Sequence, residues 1–204
     1  MIRLPKRFAD RAKTALRRYQ KVLDSARARD VNESDTVVIV TDFMSDVLGY
    51  DKYEDITTEF AVRSTFCDLA VKRGGRVQFL IEVKSVGTDL RENHLKQAVD
   101  YAANQGVEWV ILTNGVSWRA HRVRFEQPIS NDLVFTADLL DPEAKPQQLI
   151  EKLYLISKEA GASRRSISTG GIVRRRADTS SPRCSSRLRF SVSSAVSSGR
   201  SSQG

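Results

Sequence analysis

Two apolar alternations, Cys67-Leu69-Val71 and Val77-Phe79-Ile81-Val83, flank the pair Gly74-Gly75, and each carries charge on its other face: Asp68 on the first, Glu82 and Lys84 on the second. A period of two dictates strands, and two adjacent glycines mark the turn between them. The pattern also constrains the register. A two-residue Gly74-Gly75 loop would set Asp68 opposite Ile81, a carboxylate in an apolar row. A three-residue loop, Gly74 to Arg76, instead pairs Cys67 with Val83, Leu69 with Ile81 and Val71 with Phe79. The expectation is therefore a three-residue loop, with Asp68 directly opposite Glu82.

Like charges facing each other across a sheet cost some tenths to ~1 kcal/mol, and a cation relieves that cost. Asp68 and Glu82, with the backbone carbonyl of Val83 nearby, make an oxygen-rich site suited to Mg²⁺, which takes few carboxylates and fills its shell with water and phosphate. Mn²⁺ can substitute. Lys84, one side chain along, would sit beside a water held there. The competing reading of the same charges is a cross-strand ion network on a solvated face. The next helix bears on the choice. Gln97 and Tyr101, four residues apart, stack on one stripe while Leu95, Ala98, Val99 and Ala102 line the other, so an amide and a phenol project from the helix that follows the Glu82/Lys84 strand. His94 lies on the same stripe and is read as an exposed polar residue.

Around this centre the periodicities define further elements. Phe8, Ala12, Leu16, Tyr19, Leu23 and Ala26 recur every three or four residues behind Pro5, predicting an amphipathic helix over about 6–28 whose other face is basic. Arg7, Arg11, Arg17, Arg18 and Lys21 could meet a phosphate backbone or simply be solvated. A second helix should start near Asn32 or Ser34, with Val37, Val40, Met44 and Leu48 inward and Gly49 as its stop. Strands follow at Ile56 to Arg63, Phe66 to Lys72 and Val77 to Lys84. Asp89 is expected to cap a helix running to Gln105, Trp109 to Thr113 to form a strand, and Asn114-Gly115 to turn it into Val116 to Val123. A closing helix covers Pro146 to Ala160. The order α, α, β, β, β, α, β, β, α predicts an α/β or α+β sandwich around a mixed sheet.

Composition sets the limits. With 204 residues, 40% hydrophobic and 28% charged, the chain suits one soluble domain, and no apolar run exceeds four residues, far short of the ~20 that a bilayer requires. A cytoplasmic location is expected, with no membrane partner. Cys67 and Cys184 lie far apart and suggest neither a disulfide framework nor a metal cluster. The net charge of +8 is local to the end of the chain: residues 161–204 hold nine Arg, fourteen Ser and one acid, whereas residues 1–160 hold 24 basic and 24 acidic residues. Residues 161–204 are read as a disordered Ser/Arg-rich tail, either a nonspecific nucleic-acid binder or a product of out-of-frame translation. The folded domain is placed at 1–160.

Asp68, then Glu82-Val83-Lys84, then Gln97-Ala98-Val99-Asp100-Tyr101, on strand, strand and helix in that order, resembles the PD-(D/E)XK restriction-endonuclease-like superfamily. More closely, VNESDT at Val31 to Thr36, CDLAV at Cys67 to Val71, FLIEVKSVGTDL at Phe79 to Leu90 and QAVDYAANQGVEWVILTNGVSW at Gln97 to Trp118 resemble the N-terminal nuclease domain of type I restriction enzyme R subunits. The resemblance runs from about Asn32 to Val123. It implies a restriction-endonuclease-like α/β/α sandwich and Mg²⁺-dependent hydrolysis of DNA phosphodiesters in restriction or defence. Asp68 and Glu82 would be metal ligands, Lys84 would orient or activate the attacking water, and Gln97 with Tyr101 would support phosphate or water. Glu33 matches the family's helical acid and is a further candidate ligand, although an acid in a helix's first turn is favoured by the dipole in any case. Cys67 stands where many members carry Pro. The sequence has no Gly-x-x-x-x-Gly-Lys-Ser/Thr loop for ATP, so these residues would not translocate DNA by themselves; motor or specificity subunits in trans are possible partners, beside weak cutting alone or binding only. A noncatalytic nucleic-acid-binding or assembly module on the same fold is the rival reading.

Overall fold

The computed structural model describes residues 4–62 and 65–162. The Ser/Arg-rich tail expected from position 161 lies outside the described residues from position 163 onward. The elements run α1 (Lys6–Ala28), α2 (Glu33–Asp46), β1 (Ile56–Val62), β2 (Thr65–Arg73), β3 (Arg76–Val83), α3 (Glu92–Gln105), β4 (Trp109–Thr113), β5 (Ser117–Arg124), β6 (Ser130–Asp138) and α4 (Pro146–Tyr154), ending in a short 3₁₀ turn (Ala160–Ala162). The six strands form one sheet in sequence order. Every pairing is antiparallel except β3 with β4, which α3 connects as a crossover.

Helices pack on both faces of this mixed sheet, and each face has its own core. α1, α2 and α4 bury Phe8, Leu16, Leu23, Phe43, Met44 and Leu153 against Leu69, Phe79, Ile81, Ile111 and Trp118. On the opposite face α3 buries Leu95, Ala98, Val99 and Ala102 against Ala70, Leu80, Val110 and Leu112. The predicted sandwich is thus observed. The six α1 residues singled out by spacing are its buried set, and the helix spans the expected interval. Asn32 caps α2, its side chain accepting from the Asp35 N–H at 2.9 Å.

Several expectations need correction. Val40, Met44 and Leu48 are buried as expected, but Leu48 lies just past the end of α2, Thr36 and Phe43 join the inward set, and Val37 is only half-buried. Asp89 does not cap α3: the helix begins after Arg91, whose backbone N–H donates to His94 Nδ1 at 3.4 Å. His94, expected as an exposed polar residue, is half-buried and serves the helix start. α4 stops at Tyr154 rather than Ala160. An unexpected strand, β6, follows β5, its residues 130–134 all exposed.

The β2–β3 hairpin is also built differently. The turn has two residues: Arg73 pairs with Arg76, and Gly74 and Gly75 have φ of +55° and +76°, a backbone state open to glycine at little cost. Yet Leu69 pairs with Ile81 and Val71 with Phe79, as a three-residue loop would have required. A β-bulge reconciles the two. Lys72 pairs with Val77, so Gln78 is the extra residue and shifts the register by one.

Candidate active site

The predicted charged centre lies at the end of β3, where the β2–β3 ladder stops. Beyond the Leu69–Ile81 pair, it is the Asp68 carboxylate that accepts from the Val83 N–H, at 2.7 Å. Asp68 and Glu82 are therefore neighbours, but not a facing ladder pair, and Cys67 packs with Ala70 and Leu80 on the α3 side rather than with Leu69 and Val71. A side chain that takes over a ladder bond frees the strand to turn, which accounts for both departures. The next residue is anchored to β4, Lys84 N–H donating to the Thr113 carbonyl at 2.8 Å.

Glu82 is only 3% exposed. Its Oε1 lies 2.8 Å from Lys84 Nζ, whereas its Oε2 is buried and has no hydrogen-bond donor among the described residues. Lys84 Nζ also lies 3.3 Å and 3.4 Å from the two carboxylate oxygens of Glu33, from the first turn of α2. Three elements thus converge: β2 brings Asp68, β3 brings Glu82 and, just past its end, Lys84, and α2 brings Glu33.

Burial pushes the Glu82 carboxyl above the ordinary carboxylate range; its bond to Lys84 works against this, and the Asp68 and Glu33 charges add to it. Burial raises Asp68 as well, opposed by the Val83 amide and Lys84 and reinforced by Glu33. For Lys84 burial pulls downward, but the bonded Glu82 and the charges of Glu33 and Asp68 more than offset it, and its ammonium form is favoured overall. Burial also pushes the Cys67 thiol up to about 12, so it is no thiolate at neutral pH. One lysine therefore faces three carboxylates, two of them desolvated.

Gln97 and Tyr101 are joined to each other, Gln97 Nε2 donating to Tyr101 Oη at 2.6 Å. Tyr101 is buried and Gln97 exposed. Among the described residues no hydrogen bond or ion pair links this pair to Asp68, Glu82 or Lys84. Likewise no three His, Cys, Asp or Glu side chains among the described residues converge as a ready metal-ligand group.

Asn114 contributes in a way its sequence motif did not state. Its Nδ2 donates to the carbonyls of Thr88 at 2.9 Å and Val86 at 3.3 Å, and its Oδ1 accepts from the Ser117 and Val116 N–H groups. Thr113 Oγ1 accepts from Gly115 N–H, and Trp118 Nε1 donates to the Gly115 carbonyl at 2.8 Å. The Thr113-Asn114-Gly115 and Trp118 motif is thus a latch that ties the loop after Lys84 to the β4–β5 turn, with Arg119 holding the Leu90 carbonyl beside it. Its signal was legible only as a motif, because the latched partners are backbone carbonyls.

Residues 36–135 match the family described as Type I restriction enzyme R protein N terminus (HSDR_N). The chain therefore resembles the N-terminal domain of type I R subunits, a restriction-related, nuclease-like domain. The matched stretch contains Asp68, Glu82, Lys84, Gln97 and Tyr101, and begins three residues after Glu33. Comparison with curated proteins and with solved structures gives no match. No helix among the described residues is long and apolar enough to cross a membrane.

Proposed function

We propose that this domain is a metal-dependent endonuclease acting on DNA phosphodiesters, working with other subunits of a restriction system. The observation that carries the reading is the buried, donorless Oε2 of Glu82 beside the Asp68 carboxylate. A desolvated carboxylate oxygen without a partner is costly unless a cation takes it. The donors present are hard oxygens, and with only two or three carboxylates at hand the remaining places fall to water and phosphate, which suits Mg²⁺ or Mn²⁺. When bound there, the ion supplies charge neutralisation at the phosphate and lowers the pKa of a coordinated water.

The chain's own residues do the rest. Asp68 and Glu82 would hold the ion, with the Val83 carbonyl and Glu33 as further oxygen donors. Lys84, held as an ammonium by its carboxylate neighbours, has no lone pair with which to take a proton; it donates through Nζ and so orients the attacking water and steadies negative charge. Tyr101 Oη already accepts from Gln97, which leaves its own hydroxyl proton free to donate to a phosphate oxygen.

The test uses supercoiled plasmid and the full chain with Mg²⁺ or Mn²⁺. Wild type should nick or linearise it, EDTA should abolish this, and Lys84→Ala should lose cleavage by at least ~100-fold while remaining folded. Cleavage retained by Lys84→Ala removes that residue from the mechanism. A second reading, a noncatalytic DNA-binding module, is favoured by the engagement of Lys84 with both Glu82 and Glu33; a folded chain that binds Mg²⁺ but never cuts would select it.

A further inference from the structure

The charge of the folded part is divided more sharply than its neutral total suggests. Residues 1–29 contain ten Arg and Lys against two Asp, a net of +8, whereas residues 30–160 contain 14 basic and 22 acidic residues, a net of −8. Within α1 the cations are placed at some cost to the helix. Lys6 and Arg7 open it, no acid lies in its first turn, and the macrodipole disfavours cations there. Lys13, Arg17 and Lys21 follow at intervals of four, where like charges repel by a few tenths of a kcal/mol per pair.

Little inside the molecule compensates. Arg11 is engaged by Glu159 at 2.7 Å and Arg18 by Asp46. Lys6, Arg7, Lys13, Arg17, Lys21 and Arg27 form no ion pair with another described residue, and all are exposed. Lys6, Lys13, Arg17 and Lys21 share one stripe, opposite the buried face and interspersed only with Asp10 and Asp24. An anionic bilayer is a poor partner, since the apolar face that would enter it is committed to the core: Phe8 and Ala12 are fully buried and Leu16 is 3% exposed.

The position of the helix matters as much as its charge. α1 is about 34 Å long at 1.5 Å per residue, a length over which duplex DNA carries a charge every ~1.7 Å. Its C-terminal end lies beside the loop that follows Lys84: Arg27 lines a polar cleft of about 200 Å³ with Val86, Gly87 and Thr88 of that loop, and the chain then passes through Asn32 to Glu33, which meets Lys84. We propose that the exposed face of α1 is a track for the phosphate backbone of duplex DNA, leading to the carboxylate site and compensating the negative charge of the remainder of the domain. The inference rests on DNA being the substrate.

The track is tested with the full chain by fluorescence anisotropy on a labelled 30-base-pair duplex in EDTA, from 50 to 200 mM KCl, comparing wild type with the triple variant Lys13→Gln/Arg17→Gln/Lys21→Gln. The nine C-terminal arginines are common to both proteins, so their contribution cancels in the comparison. The variant should bind about tenfold or more weakly at 100 mM salt, with a slope of log K against log[salt] shallower by about 0.9 for each lost contact. Its Tm should not fall, since it loses only exposed, mutually repelling charges. Equal affinity and slope in the two proteins overturn the track; plasmid cleavage by wild type in Mg²⁺ then shows that the nuclease reading survives without it. An α1-dependent slope without cleavage keeps the track and rejects catalysis. Wild type that neither binds nor cuts DNA rejects both.

Discussion

The two faces of the sheet are finished to different degrees. Against α1, α2 and α4 the sheet is closed from β2 to β6, with Trp118, Phe79 and Ile111 nearly or wholly inaccessible. On the other face α3 covers β3 and β4 but leaves β5 and β6 open, and a groove of about 880 Å³ remains between them, lined by Lys96, Val99, His121, Ile129 and Leu133. Leu80 lies on this second face, and Glu82, two residues along β3, shares its phase. The difference teaches where each task sits: apolar burial is concentrated on the closed face, while Glu82 shares the phase of the half-covered face and stands at a strand end, desolvated enough to be raised in pKa.

The sharpest test of that division is Trp118→Ala. It removes the largest fully buried side chain of the closed face together with its contact to Phe43, at 4.9 Å between ring centroids. It should cost about 3–5 kcal/mol in urea unfolding. A loss below about 1.5 kcal/mol would mean that the closed face does not dominate stability.

Asn114→Ala comes next. Four backbone groups lose their partner at once, and about 1–3 kcal/mol should be lost. A neutral outcome would show that water satisfies those groups equally well and that the latch does not hold the loop after Lys84.

On the open face, burial holds His121 below its ordinary value near 6.5, against its bond to Asn131. With the folded value depressed, the unfolded chain takes up the proton first, so the stability contributed by neutral His121 is complete above pH 6.5 and declines as the pH falls through that value toward the folded one. Wild-type Tm should therefore fall from pH 7.5 to 5.5 by more than that of His121→Gln. Parallel profiles would show that His121 titrates freely. The smallest effect belongs to Leu133→Lys: at 57% exposure it should shift stability by no more than about 0.5 kcal/mol. A cost above 2 kcal/mol would mean that the open face is covered in solution.

What could be seen in advance depended on unbroken period. α1 was legible from end to end because Pro5 and six residues at helical spacing agree. Asp68, Glu82 and Lys84 stood out because charge on a strand of alternating apolar residues is conspicuous. β6 was hidden because its period is interrupted: Ala120 pairs with Phe135 but His121 with Leu133, so Val134 is a bulge, and Leu133 and Phe135 face opposite sides despite being two apart. Asn131 and Asp132 further disguised it as a loop. The start of α3 was misplaced because Asp89 has the right chemistry for a cap, whereas the helix begins after an arginine through the ring of His94. The approach of Glu33 to Lys84 was beyond local reasoning, since 51 residues separate them.

The bulge at Gln78 has a consequence in parity. A strand has only two phases, and the Gly74-Gly75 turn alone would place Leu69 and Ile81 in opposite ones; Gln78 adds the odd residue that restores agreement. Turn and bulge therefore behave as a matched pair of sign changes. Any single-residue insertion or deletion between Val71 and Phe79 reverses the sign and exchanges Glu82 for its neighbours on the opposite face, whereas a paired change, one residue added to the turn and Gln78 removed, leaves the product unaltered. Homologous chains free to vary the length of this hairpin would be expected to do so in even steps.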